Sequence, residues 1–487
     1  MKRLAILFVL AVAAWGAYSL MPEPQEPPAR PAVAWPRLAP EQLVRAESTA
    51  GNGTFVLEKD QGDWFVTAAG SPRRLRADRA KAEALANFFN ANPPRRSLAE
   101  VNLQDQKQAK AYGLDAPVKQ LTLADNGTRY TLTFGSKNPA GDAVYATLEQ
   151  TPRPEGNHTG TVYLLAATWL EQAAKAEAYY DLRLTNLMAQ NITRIRVDNK
   201  DIPVELQRTG PAQYAFVQPE DYAPHAVSSL DAERLLHDVA SIKGQLAPSQ
   251  AALPTNATAM LSLSLWPMGS EQPQRVQFYS IPENHLQYYA TSDWQPALLT
   301  VDRTTLFKVA PDPFLLRDRR VLTLDPATVH TQRLTFFEEE GLTPRQVVLM
   351  RHTGDRPAED LPSRDWTRQD SNATVPGLDL LLWRLSESTF EADPAPRRPE
   401  SARDVLRWAL LAANGTALAE VAFALDPGLP EGQCWLIPDR HASGAPETNG
   451  TQGQEPSYPV ADDVLQQALE MVFRNGNQTH ANPNHAW

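Results

Sequence analysis

One cysteine, Cys434, stands in the 487 residues. A single thiol closes no disulfide within the chain and excludes any zinc or iron–sulfur site built from several thiolates. It lies in Gln433-Cys434-Trp435-Leu436-Ile437, which reads as a strand, where a lone cysteine acts as a small buried hydrophobe. Basic charge is short as well. Lys and Arg number 46 against 57 Asp and Glu, for a net charge of −11 and a pI near 5.4. Nucleic-acid binding needs the opposite, a concentrated basic surface. The doublets Arg73-Arg74, Arg95-Arg96, Arg319-Arg320 and Arg397-Arg398 are scattered and read as solvated surface.

Motifs of common chemistries are also missing. There is no Gly-x-Ser-x-Gly elbow, no Gly-x-x-x-x-Gly-Lys phosphate loop and no Gly-x-Gly-x-x-Gly turn. The nine histidines form no His-x-x-x-His or Glu-x-x-His pair. Glu338, Glu339 and Glu340 are consecutive, whereas a calcium loop alternates its oxygen ligands. Sequence therefore nominates no catalytic, cofactor-binding or metal-ligating residue, and the expectation is a protein that is not an enzyme and carries no cofactor.

What is present describes an exported body. Lys2-Arg3 precede an uncharged, mainly apolar run over residues 4–21. As a helix those residues span about 27 Å, close to a bilayer's hydrocarbon thickness. Cationic residues before the run orient it with its start in the cytoplasm. The expectation is a single-pass inner-membrane anchor with the body in the periplasm; a cleaved signal peptide is the alternative, and it too exports the body. Prolines 22, 24, 27, 28, 31, 36 and 40 make residues 22–40 a semi-extended spacer.

Beyond the spacer, hydrophobic periodicity predicts an α+β fold: tandem domains of mostly antiparallel sheet with packed helices, after one N-terminal transmembrane helix. Three copies of a strand–helix–strand pattern are expected at 41–188, 189–326 and 327–475, with a flexible tail at 476–487. The first has Trp64-Phe65-Val66, then a helix from Asp78 to Phe89, then three strands and a second helix through Trp169-Leu170. The second has a helix from Leu230 to Ile242 and the alternating strand Leu261-Ser262-Leu263-Ser264-Leu265. The third has a helix around Leu378–Leu385 and closes on a helix over 460–473. Corresponding strands near 122, 263 and 408 give a period of roughly 140, which is the size of a domain.

Asn-x-Thr occurs nine times, at Asn52, Asn126, Asn157, Asn191, Asn256, Asn372, Asn414, Asn449 and Asn477, while Asn-x-Ser is absent. Random placement of the 20 asparagines and 34 threonines gives about 1.4 such triplets. An acid stands two residues before Asn157, Asn372 and Asn449, as in the extended acceptor of bacterial oligosaccharyltransferases, so these three are the candidate glycosylation sites. Turn chemistry is the competing account, and it explains the four Asn-Gly-Thr triplets.

The basic-then-apolar start, Trp64-Phe65-Val66 before an aspartate-led helix, and Tyr112-Gly113-Leu114-Asp115-Ala116-Pro117 before a strand resemble the domain of unknown function 4340 family. So do Phe134-Gly135, Val144-Tyr145 and Val162-Tyr163-Leu164-Leu165. The resemblance covers residues 40–190. It implies a membrane-anchored envelope protein often encoded beside ABC-2 type transporter components, and it carries over no site residue. The expected function is a non-catalytic, membrane-tethered periplasmic scaffold or accessory subunit of an ABC-type transport system, with permease components as partners. Alternatives are a module binding an envelope glycan or peptidoglycan, and a hydrolase with an unrecognised site.

Overall fold

Strands of alternating buried and exposed residues build three antiparallel sheets. The computed structural model describes residues 33–474 apart from 52, 72, 102–104, 153–159, 201, 248–251, 282–283, 338–342, 352–365 and 440–455. The expected anchor at 4–21, the spacer up to residue 32, the tail and the Glu338–Glu340 turn lie outside the described residues. The end of the expected spacer at 22–40 is part of the first domain: Leu38 is buried in its core and Trp35 Nε1 donates to Phe89 O at 2.9 Å, because these two apolar side chains find a place against the helix that carries Phe89. Among the described residues no helix is long and apolar enough to cross a membrane.

The first sheet holds β1 (Arg45–Ala50), β2 (Gly53–Asp60), β3 (Asp63–Ala68), β4 (Arg74–Arg76), β5 (Arg96–Val101), β6 (Lys119–Ala124), β7 (Arg129–Lys137), β8 (Ala143–Thr151) and β9 (Gly160–Ala166). Their order is β4-β3-β2-β1-β6-β7-β8-β9-β5. The second holds β10 (Ile192–Asp198), β11 (Val204–Gly210), β12 (Gln213–Gln218), β13 (Gln245–Leu246), β14 (Ala259–Pro267), β15 (Gln274–Ile281), β16 (Asn284–Ser292) and β17 (Leu299–Asp302), ordered β12-β11-β10-β14-β15-β16-β17-β13. The third holds β18 (Thr331–Phe336), β19 (Arg345–Arg351), β20 (Trp366–Arg368), β21 (Thr374–Val375), β22 (Arg403–Leu411), β23 (Ala417–Leu425), β24 (Gln433–Pro438) and β25 (Tyr458–Ala461), ordered β21-β20-β19-β18-β22-β23-β24-β25. In each, the first strand in sequence lies between the second strand and a strand beyond the helix: β1 between β2 and β6, β10 between β11 and β14, β18 between β19 and β22. The predicted α+β class with antiparallel pairing is what the chain adopts.

The helices are α1 (Arg79–Ala91), α2 (Gln106–Ala111), α3 (Ser229–Ala240), α4 (Arg303–Lys308), α5 (Pro313–Leu316), α6 (Leu378–Ser386) and α7 (Asp463–Arg474). Asp78 caps α1 by accepting from Lys81 N at 3.2 Å. That helix buries Ala82, Leu85, Ala86 and Phe89 in a core with Trp64, Phe134 and Trp169. α3 buries Ala232, Leu235, Leu236 and Val239. Just before it, Ser228 Oγ donates to Asp231 Oδ2 at 2.7 Å and accepts from Asp231 N at 3.3 Å, a reciprocal cap. α6 places Leu378, Leu381, Leu382 and Leu385 in the core of the third sheet.

Two compact units result: Met1–Ala223 with Ala232–Asp312, which contains the first two sheets, and Pro224–Asp231 with Pro313–Trp487, which contains the third.

Four elements differ from the periodicity. The helix expected through Trp169-Leu170 is a single 3-10 turn, Ala167–Leu170, because Ala173 at φ 51° turns the chain back. The closing helix begins later, at Asp463; Val460 pairs with Cys434 as part of β25 and is 2% exposed. Strands β1 and β11 lie outside the expected pattern: β1 has no hydrophobic alternation, and in β11 it is limited to Val204 and Leu206. β1 buries only Ala46 and Ser48, whose Oγ donates to Ala173 O at 2.6 Å. β11 buries Glu205, which the guanidinium groups of Arg194 and Arg196 neutralise.

One cross-strand pair recurs in all three sheets. Lys59 faces Trp64, Arg208 faces Tyr214 and Arg351 faces Trp366, each directly opposite in register. The cations lie 6.0, 5.0 and 4.8 Å from the ring centroids, within reach of the ring quadrupole. Asp379 also accepts from Trp366 Nε1 at 3.1 Å and from Arg351 at 2.7 Å.

Candidate functional site

Charged and aromatic side chains converge where the chain leaves the first sheet for the second. The extended segment Tyr179–Leu184 binds on both sides. Asp78 N donates to Tyr179 O (2.8 Å) and Asp181 N to Arg76 O (3.0 Å), which ties the segment to the start of α1. Leu184 N donates to Ile242 O (3.1 Å) and Gly244 N to Leu182 O (2.9 Å), which ties it to the end of α3. Asp181, 7% exposed, is held by Arg183: Nε lies 2.9 Å from Oδ1, and a terminal guanidinium nitrogen lies 2.6 Å from Oδ2. This two-pronged bond holds Arg183 above its ordinary pKa. Arg183 and Arg76 both lie over the Trp294 ring, at 5.5 and 4.6 Å, and Gln295 Nε2 donates to Asp181 O at 2.5 Å. Arg76 also binds Asp63 at 2.7 Å.

The same bonds recur within the second unit. Ser228 N donates to Leu316 O (2.8 Å), Asp318 N to Ala226 O (2.8 Å), Val321 N to Ser388 O (3.1 Å) and Phe390 N to Arg319 O (3.0 Å). Arg320 forks Asp318 with Nε 3.0 Å from Oδ1 and a terminal nitrogen 2.8 Å from Oδ2. Arg320 thereby holds the Asp318 carboxyl below the usual range. The two Asp-x-Arg forks lie roughly 140 residues apart, close to the sequence period. Pro376, just before α6, has no N–H to offer a bond of this kind.

Chemically, each fork pairs a carboxylate with the guanidinium two residues on. The forks fix a bend in the chain. Lys119, 3% exposed, donates to the carbonyls of Trp169, Leu170 and Gln172, and burial lowers its pKa to about 8. Burial, with Asp462 and Asp463 nearby, pushes the Cys434 thiol up to about 12. That makes it a poor nucleophile and places it, as expected, in a strand core. His225 Nδ1 lies 3.4 Å from Arg317 in the second unit; burial first and that cation second hold it below its ordinary pKa. Among the described residues no group of three or more His, Cys, Asp or Glu is placed to hold a metal.

Among the described residues two shallow depressions stand out. One, of about 240 Å³, lies between the end of α3 and α4 and is lined by Asp238, Lys243 and Lys308. The other, of about 250 Å³, lies in the third sheet's unit between α6 and α7, lined by Trp383, Arg384, Glu387, Glu391 and Asp463. Both are smaller than most small-molecule sites. Beside the second, Leu380 and Trp383 are 59% and 55% exposed one helical turn apart on α6.

Of the three candidate glycosylation sites, Asn157 and Asn449 lie outside the described residues. Asn372 is exposed between β20 and β21 at φ 53°. The forks and the cation–aromatic pairs escaped sequence reasoning, although Asp-x-Arg at 181–183 and at 318–320 was a visible signal.

The Tyr112-Gly113 string ends α2 against β7. Gly113 is left-handed at φ 69°, and Tyr112 O accepts from Ser136 N at 2.9 Å. A Cβ on Gly135 would lie 2.2 Å from Tyr112 O. The two glycine motifs, 22 positions apart in sequence, are therefore halves of one contact. The family model described as Domain of unknown function (DUF4340) matches residues 71–246. Those residues belong to the DUF4340 family. The DUF4340 segment starts later and ends later than the 40–190 expected from motifs. It begins after β3, takes in the whole Tyr179–Leu184 segment and ends at β13. No curated protein matches the chain.

Proposed function

We propose that the chain is a non-catalytic, membrane-tethered protein: a helix over residues 4–21 holds it in the inner membrane, residues 22–32 space it off the surface, and three copies of one α+β unit lie in the periplasm. There it serves as scaffold or accessory subunit for a membrane assembly such as an ABC-type exporter. The recurrence of four backbone bonds and an Asp-x-Arg fork supports this reading most. Repeating modules stabilised through a repeated linker suit reach and contact better than turnover. The cation–aromatic pair at the same register of all three sheets supports copying of one unit. Leu380 and Trp383 offer the partner an exposed apolar face on α6.

Crosslinking and pull-down of the full chain from native membranes tests the proposal. Recovery of a permease and its ATPase, reduced at least tenfold by the double change Leu380→Ala, Trp383→Ala with unfolding unaltered, is the expected result. Recovery of the chain from the soluble fraction without partners refutes it. A second reading, binding of an envelope glycan, is favoured by Trp383 standing beside a depression lined with Arg384, Glu387 and Asp463. Cosedimentation with purified sacculi that Trp383→Ala abolishes would select it.

A further inference from the structure

Asn-x-Thr triplets exceed chance about sixfold in this chain, and none has serine. The fold places the described ones selectively. Asn126 lies between β6 and β7, Asn414 between β22 and β23, Asn256 just before β14 and Asn372 between β20 and β21; all four are exposed. Asn191, half-buried at the end of a 3-10 turn, is the exception. Asparagine alone suits such turns, but a turn does not require threonine two residues later. Thr258, Thr374 and Thr416 are themselves exposed, so core packing does not account for them. Turn geometry selects the asparagine, and something else selects the threonine.

Asn372 is the best-presented of the set. Its hairpin is the outermost in its sheet, where β21 pairs only with β20 among the described residues. Its left-handed backbone is one asparagine tolerates. Asp370, two residues earlier, keeps its carboxylate 58% exposed while Arg368 forks it at 3.0 and 2.8 Å. An attached group here leaves every ladder bond of the sheet intact.

We propose that Asn126, Asn256, Asn372 and Asn414 carry N-linked glycans. The inference rests on the exported location of the body. The donor class is an oligosaccharide on polyprenyl diphosphate, used by a membrane-bound transferase. Asn Nδ2 bonds to the anomeric carbon while the bond from that carbon to the diphosphate oxygen breaks. The diphosphate leaves with the electron pair, and the amide nitrogen gives one proton to a base of the transferase. Nothing is oxidised or reduced. The threonine hydroxyl two residues on is the recognition element.

The test is glycopeptide mass spectrometry on full-length chain purified from native-host membranes, with protease accessibility of spheroplasts measured on the same cells. The expected result is saccharide mass on the Asn372 peptide, lost in Thr374→Val and retained in Thr374→Ser, with equivalent mass on the other three peptides. Thr374 is exposed, so these variants keep the fold. All four peptides at unmodified mass from a protease-accessible body overturn glycosylation alone. The same masses from a protected, cytoplasmic body overturn it together with export.

Discussion

Arg183 holds Asp181, two residues before it, with two parallel bonds of 2.9 and 2.6 Å, and Arg320 holds Asp318 in the same way. Lysine keeps the charge but cannot make both bonds. Arg183→Lys should cost about 1 kcal/mol of stability and Arg183→Ala about 2 kcal/mol, since the buried Asp181 carboxylate then loses its cation and keeps only the bond from the backbone N of residue 183. Urea unfolding of each variant checks this. Equal stability of Arg183→Ala and the parent would remove the fork from the account.

Gly135 leaves no room for a methyl group, because its Cβ would stand 2.2 Å from Tyr112 O, a backbone atom. Gly135→Ala should destabilise by about 2–3 kcal/mol through displacement of the α2 end from β7. The loss should appear as faster amide exchange at Ser136, whose N–H donates to that carbonyl.

Lys119 makes stability depend on pH in the alkaline range. Its folded pKa is near 8 against an ordinary 10.5, so between those values the unfolded chain binds more protons than the folded one. Stability should therefore rise as pH climbs from 8 to 10.5, by at most roughly 3 kcal/mol from this group. Below pH 8 the cost of burying the ammonium is fully present. Denaturation of Lys119→Met beside the parent isolates the effect; the difference between them should shift over that window and be constant below it.

Cys434 should resist maleimide at pH 8 in the folded chain and take up one equivalent in denaturing urea, because its thiol is buried and pushed to about 12. Cys434→Ala should cost about 1 kcal/mol. Cys434→Ser should cost more, since an unpaired hydroxyl enters an apolar core. Rapid labelling of the native protein would contradict the packing of β24.

Sequence by itself determined much of the local structure. Asp78 announced the start of α1, Leu261–Leu265 alternated as β14 does, and Cys434 lay in a strand. The period of roughly 140 emerged from strands that take the same place in each sheet, β6, β14 and β22. These are short-range signals: the period of apolar residues or the chemistry of a cap is complete within about ten residues. Only the tertiary structure decided the rest. β1 holds a central position with small and charged residues because Ser48 finds Ala173 O, 125 residues along the chain, and β11 buries Glu205 between Val204 and Leu206 because its sheet partner β10 brings Arg194 and Arg196 to it. Gly113 and Gly135 gain meaning only when α2 meets β7. The Asp-x-Arg forks were written in the chain at 181 and 318. What they hold was not, because each bridges segments more than 50 residues apart, and a hydrogen bond's partner is fixed by where the chain folds and not by its neighbours in sequence.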